Sequence, residues 1–283
     1  MKVADIMTPR SETVTVELPG TRDDALNYLQ EQRFSSIPVV KETESGEIYR
    51  GLITREDLIE EPDEDQLALL MKEVPTIKTD DTIVDVANLI VSEKSRRIPV
   101  VENDKLQGII TVTDIINAIA TGELDGEKEV GSVTSNTVNT VYQDTPLIPA
   151  EREISFANVP YAVVLDNHGE MVGMLTEVDI LDVARVVEGE AETGASIANE
   201  DDEWMWEGIK AVGNRYLPTR NVEIPNEPVN NFMTEEVITV SGNRTIEETA
   251  QIMIREDIEQ VPLVRANDLT GIVRDVDLVQ SLL

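Results

Sequence analysis

Apolar residues recur along this chain in two alternating rhythms. From Thr82 they fall at Ile83, Val86, Ala87, Ile90 and Val91, and from Thr245 at Ile246, Ala250, Met253 and Ile254, the one-face spacing of an amphipathic helix. Unbroken apolar runs follow at Ile37–Val40, Ile98–Val101, Tyr161–Val164 and Val261–Val264, short enough to be buried strands. A second run comes next, at Leu52-Ile53, Ile109-Ile110, Met174-Leu175 and Ile272-Val273, each directly after a glycine (Gly51, Gly108, Gly173, Gly271). A new helical pattern then opens with a residue in the N-cap place and an acid three positions on: Thr54 with Asp57, Thr111 with Asp114, Thr176 with Asp179, and Arg274 with Asp277. The predicted order is strand, helix, strand, strand, helix, four times over, at a period of about 60 residues.

Spacing ties the copies together. The second residue of each apolar run (Pro38, Pro99, Ala162, Pro262) lies 17 positions after a threonine, namely Thr21, Thr82, Thr145 and Thr245. From that slot to the glycine the distance is 13, 9, 11 and 9 residues, so only a hairpin loop varies, as loops tolerate. A unit of this size cannot bury an adequate core alone, so the copies are expected to pair, 1 with 2 and 3 with 4. In repeat 3, about 128–187, Pro146 and Pro149 lie where the first helix begins and Glu153 sits at an apolar position, which predicts a short or broken helix.

The Asp5–Thr8 and Asn231–Thr234 entries, the Ile-Pro-Val-Val strand and the closing Gly-apolar-apolar-Thr-x-x-Asp resemble the CBS domain. The likeness covers nearly the whole chain apart from 188–228. It implies an α/β (α+β) fold: CBS repeats of β-α-β-β-α form at 1–61, 64–121, 128–187 and 229–283, paired into two modules that build a disc-like assembly. In repeat count the chain is similar to the gamma subunit of the AMP-activated kinase. The 188–228 insert holds both tryptophans, Trp204 and Trp206. Two readings are open there: a short helix pinned on repeat 3 or 4, and a docking surface for a partner.

Composition narrows the classes. The net charge is −33 and the pI near 4.2, with acid spread over every repeat. That spread resembles proteins of a high-salt, halophilic, archaeal-like cytoplasm, where screening mutes self-repulsion; an acidic interaction tail would be a block. No basic stripe offers counterion release, so nucleic acid is not an expected partner. With no cysteine, disulfides, thiolate metal sites and cysteine nucleophiles are excluded. No long apolar stretch suggests a signal peptide or membrane span, and a cytoplasmic location is expected. His168, the sole histidine, reads as a solvated hairpin residue.

Thr-x-x-Asp has a purely structural reading as a capping box. The resemblance implies more: ribose hydroxyls held by Asp57, Asp114, Asp179 and Asp277, phosphate by Thr54, Thr111 and Thr176, and adenine by backbone near Ile37, Pro38, Ile98 and Pro99. A phosphorylated ligand on so acidic a protein needs local cations. Arg96 and Arg97 precede the repeat 2 strand, and Arg55 and Arg274 flank helix starts, whereas repeat 1 offers Ser35-Ser36 and repeat 4 Glu259-Gln260. Arg274 lacks a threonine's capping hydroxyl, so either repeat 4 has lost binding or its arginine reaches a neighbouring cleft. No Ser-His constellation, P-loop or metal-ligand spacing is present, and no catalytic, metal or cofactor site is expected. The expected function is a stand-alone sensor binding AMP, ADP or ATP as regulatory ligand and signalling to a protein target, with a homodimer compatible. Alternatives are a ligand-free interaction module, and S-adenosylmethionine or a related nucleoside as ligand.

Overall fold

A computed structural model describes residues 1–31, 36–44, 46–54, 57–58, 64–183, 185–190, 218–266 and 268–283. Two compact units result: Met1–Ser135 with Val240–Leu263 and Ile272–Leu283, and Asn136–Thr239 with Val264–Gly271. Arg55, Trp204 and Trp206 lie outside the described residues.

The first helices of the repeats are Arg22–Glu31, Ile83–Glu93, Leu147–Ala157 and Ile246–Glu256. Ile83–Glu93 starts where it does because Thr82 and Asp85 form a reciprocal box: the Asp85 N–H donates to Thr82 Oγ1 (3.3 Å) and the Thr82 N–H to Asp85 Oδ2 (3.0 Å). It ends at Lys94, in a left-handed conformation (φ 52°). Ile83, Val86, Ala87 and Ile90 are buried, while Val91 and, in Ile246–Glu256, Ile254 end their apolar stripes exposed.

The repeat 3 helix departs from expectation. It runs 11 residues, the same as Ile83–Glu93 and Ile246–Glu256. Pro146 occupies its N-cap and Pro149 its first turn, where backbone N–H groups have no intrahelical acceptor and a proline removes nothing.

Each repeat then makes a hairpin: Ser36–Thr43 with Gly46–Thr54, Arg97–Glu102 with Lys105–Thr111, Tyr161–Leu165 with Met171–Thr176, and Gln260–Arg265 with Asp268–Arg274. Val16–Leu18 and Thr140–Tyr142 lie parallel to the first strands of hairpins 1 and 3. Val16–Leu18 is only three residues long. Closing helices run Val112–Ala120, Glu177–Val183 and Asp275–Gln280, and Asp57 and Leu58 are helical. Arg185–Glu190 and Pro218–Glu223 form an antiparallel ribbon at the ends of the insert.

The repeats exchange their entry segments. Thr8 pairs with Ile109, so the start of repeat 1 extends the repeat 2 sheet, while Lys72 pairs with Leu52 of repeat 1. Leu67 and Leu70, read as repeat 2, complete the repeat 1 core with Val16, Ala25, Ile37, Val39, Ile53 and Leu58. Each such leucine contributes about 2 kcal/mol on burial. Ser135 likewise pairs with Ile272 of repeat 4, and Thr234 with Met174 of repeat 3. Val229 from the repeat 4 entry sits in the repeat 3 core. The motif glycines make this crossing feasible: a Cβ on Gly51 would lie 2.8 Å from the Lys72 carbonyl oxygen, and one on Gly108 would overlap that of Thr8.

Repeat 2 also packs on repeat 4 within the first unit. Helix Val112–Ala120 lies against Ile246–Glu256 and Asp275–Gln280, and Ile83–Glu93 touches Asp275–Gln280.

Candidate functional site

The closing motif has the same geometry in three repeats. Asp114 Oδ2 accepts from the Thr111 N–H (2.7 Å) and hydroxyl (2.8 Å), and the Asp114 N–H donates back to Thr111 Oγ1 (3.2 Å). Asp179 Oδ2 accepts from the Thr176 N–H (2.8 Å) and hydroxyl (2.7 Å). Asp57 Oδ2 accepts from both Thr54 groups at 2.7 Å. The capping reading therefore holds, and each hydroxyl proton is already committed to its own aspartate.

The second carboxylate oxygen distinguishes the four. Among the described residues, Oδ1 of Asp114 and of Asp179 has no partner. Asp57, 4% exposed, has Oδ1 2.6 Å from Lys72 Nζ. Asp277, 7% exposed, is held by Arg274: backbone N–H to Oδ2 at 2.8 Å, Nε to Oδ2 at 3.1 Å, and Nη2 to Oδ1 at 2.8 Å. The cap that Arg274 lacks as a hydroxyl is thus replaced by a guanidinium clamp on the third helical residue.

Burial pushes the Asp114 carboxyl above its ordinary range, opposed by the two Thr111 bonds. Burial disfavours the charged carboxylate there, which a donor pair to its second oxygen would offset.

Arg96 sits at the start of the repeat 2 strand, and its carbonyl accepts from the Val112 N–H that opens the Asp114 helix (3.0 Å). Its guanidinium forks onto Asp275 (Nη1–Oδ1 3.0 Å, Nη2–Oδ2 2.5 Å) and reaches Glu259 (2.9 Å). Asp275 opens the Asp277 helix and donates its N–H to the Glu259 carbonyl (2.8 Å). Arg96 therefore ties two equivalent helix starts together across the repeat 2–repeat 4 contact. Arg97 is half-buried on the strand opposite Thr111. Ile37, Ile98, Pro38 and Pro99 are buried, the first in the repeat 1 core. Their strands are paired within the hairpins, and the Pro99 carbonyl accepts from the Ile77 N–H (3.1 Å).

Lys72 was not legible as a site residue. It stands where the other three repeats put a hydroxyl on the partner's strand, at Thr8, Ser135 and Thr234. The signal was present, since Met71-Lys72 parallels Met7-Thr8 and Met233-Thr234. His168 is exposed at its hairpin tip, its N–H donating to Asp166 (2.8 Å). Among the described residues there is no group of side chains fit to hold a metal ion and no helix long and apolar enough to cross a membrane.

Paired, strand-exchanged helix-and-hairpin repeats with capped closing helices define a tandem repeat module. The CBS domain pattern matches residues 3–64, 67–121, 130–185 and 229–283, and the chain belongs to the CBS domain family. It is 27% identical over 281 residues to an uncharacterized protein of Methanocaldococcus jannaschii, covering 99% of this chain and 61% of that one. A second uncharacterized protein of that organism is 33% identical over 113 residues, 40% of this chain and 37% of the relative. The chain thus spans less than two thirds of either relative. A crystal structure of an uncharacterized conserved protein from Pyrococcus horikoshii matches with TM-score 0.71 at 28% identity, covering 100% of both chains. That of another M. jannaschii protein, a candidate archaeal homologue of g-AMPK, matches with TM-score 0.70 at 20% identity over 100% of both, which speaks for the fold.

Proposed function

We propose that the chain is a regulatory sensor that binds an adenosine-containing ligand at its Thr-x-x-Asp motifs and passes occupancy to a protein partner. The observation that carries this reading is the half-occupied carboxylate of Asp114. One oxygen is fixed by Thr111, and the other is open to accept from a ribose diol. Ile98 and Pro99 line the base, and phosphate draws on Arg97. Binding stabilises one arrangement of paired repeats relative to another, and that difference is the signal.

A second reading is favoured by the satisfied caps: Thr54, Thr111 and Thr176 are each bonded internally, so the motif works as a structural device with no ligand. The two are separated by calorimetric titration with AMP, ADP, ATP and S-adenosylmethionine in about 2 M KCl, where charge repulsion is screened, repeated on Asp114→Ala. Saturable binding that the variant loses supports the sensor. No heat with any of the four, from folded protein, supports the structural module. S-adenosylmethionine binding that is indifferent to Arg97→Ala identifies a phosphate-free ligand.

A further inference from the structure

We propose that Lys72 and Arg274 are internal occupants of two of the four motif carboxylates, so that ligand recognition is confined to Asp114 and Asp179. This rests on the nucleoside reading above and deepens it. All four motifs descend from one repeated pattern, yet their second oxygens differ. At Asp57, Lys72 Nζ lies 2.6 Å from Oδ1. At Asp277, Arg274 covers both oxygens through Nε and Nη2. At Asp114 and Asp179, Oδ1 has no partner among the described residues.

Two unrelated substitutions produce the same chemistry. Lys72 arrives from the exchanged entry segment, at the place where Thr8 crosses the Asp114 repeat and Thr234 the Asp179 repeat. Arg274 arises within its own motif, at the place held elsewhere by Thr54, Thr111 and Thr176. A ribose diol offers two neutral donors and would have to displace a charge-assisted bond from a buried carboxylate. At the open aspartates it meets no such bond among the described residues. Each pair of strand-exchanged repeats thereby retains one open carboxylate: Asp114 in repeats 1 and 2, Asp179 in repeats 3 and 4.

The test is a binding count by calorimetry with AMP and, separately, S-adenosylmethionine, which share the ribose diol. Wild type is expected to take two ligands, Asp114→Ala and Asp179→Ala one each, and Asp57→Ala and Asp277→Ala still two. Lys72→Thr and Arg274→Thr, which recreate the residues of the other repeats, are each expected to raise the count to three. A count that falls in Asp57→Ala or Asp277→Ala, or that stays at two in both threonine variants, overturns the inference while leaving the sensor reading intact. If wild type binds neither probe, the sensor reading fails, and a double-mutant cycle in denaturant decides the rest. Coupling between Lys72→Ala and Asp57→Ala, and between Arg274→Ala and Asp277→Ala, sustains the occupant role; zero coupling overturns it.

Discussion

Asp114 shows how one side chain carries both a structural and a chemical load. Its carboxylate is held by Thr111 but half-buried, and burial raises its pKa above the ordinary carboxylate range. The folded state then holds a proton more tightly than the unfolded chain, so stability declines as pH rises from the unfolded pKa through the folded one. Asp114→Asn keeps an acceptor for Thr111 without the charge. Its stability measured by denaturant is expected to lack that decline as pH rises above about 4, the ordinary carboxylate value. Glu47 has the opposite sign. The Arg10 hydrogen bonds lower its pKa against the opposing effect of burial, so its contribution is present above the unfolded value and lost as pH falls through the folded one. Glu47→Gln is expected to flatten that acid limb and to cost about 1 kcal/mol near neutrality, a partly exposed charged pair being worth little more.

At the scale of elements, helix starts and exchanged strands control stability by different means. The Thr82 box serves only its own helix, so Thr82→Ala is expected to cost about 1 kcal/mol in equilibrium denaturation. Leu67→Ala reaches further, because Leu67 is 0% exposed in the core of the preceding repeat. A loss of about 2–5 kcal/mol is expected, with hydrogen-exchange protection falling in the Ser36–Thr54 hairpin. Gly108→Ala forces a Cβ onto the Thr8 carbonyl and is expected to cost about 2 kcal/mol by overpacking. Calorimetric melting of the variant, compared with Gly122→Ala where no atom is closer than 4.0 Å, separates this clash from the loss of glycine flexibility. Gly122 has a positive φ of 74°, so its own alanine variant measures backbone strain alone.

For the molecule as a whole, the notable contact is the one joining repeats 2 and 4. Arg96 has a one-third exposed side chain, while Asp275 is 5% exposed and depends on Arg96 and the Val276 N–H for its compensation. Arg96→Ala strands that carboxylate and is expected to cost about 2 kcal/mol or more. Because the partner is buried, added salt is expected to change this loss little, in contrast to surface pairs. A denaturant series at low and high KCl reads both effects. Should Arg96→Ala also weaken AMP but not adenosine, the arginine serves phosphate as well as the contact.

The sequence by itself determined the repeat, its element order, the capping boxes and the membership of one family, because each rests on local periodicity and fixed spacing. Thr82–Asp85 and Thr111–Asp114 are three residues apart, and a helix start brings such pairs together wherever it forms. Only the tertiary structure decided that Leu67 and Leu70 fill the preceding repeat, and that the repeat 3 helix survives Pro146 and Pro149. It also decided that Arg96 meets Asp275, and that Lys72 lies on Asp57. These depend on which segment crosses which strand. That is set by the burial of whole apolar faces and not by neighbours in the chain, so a lysine eleven positions before the Ile83–Glu93 helix carries no local sign of the aspartate it meets.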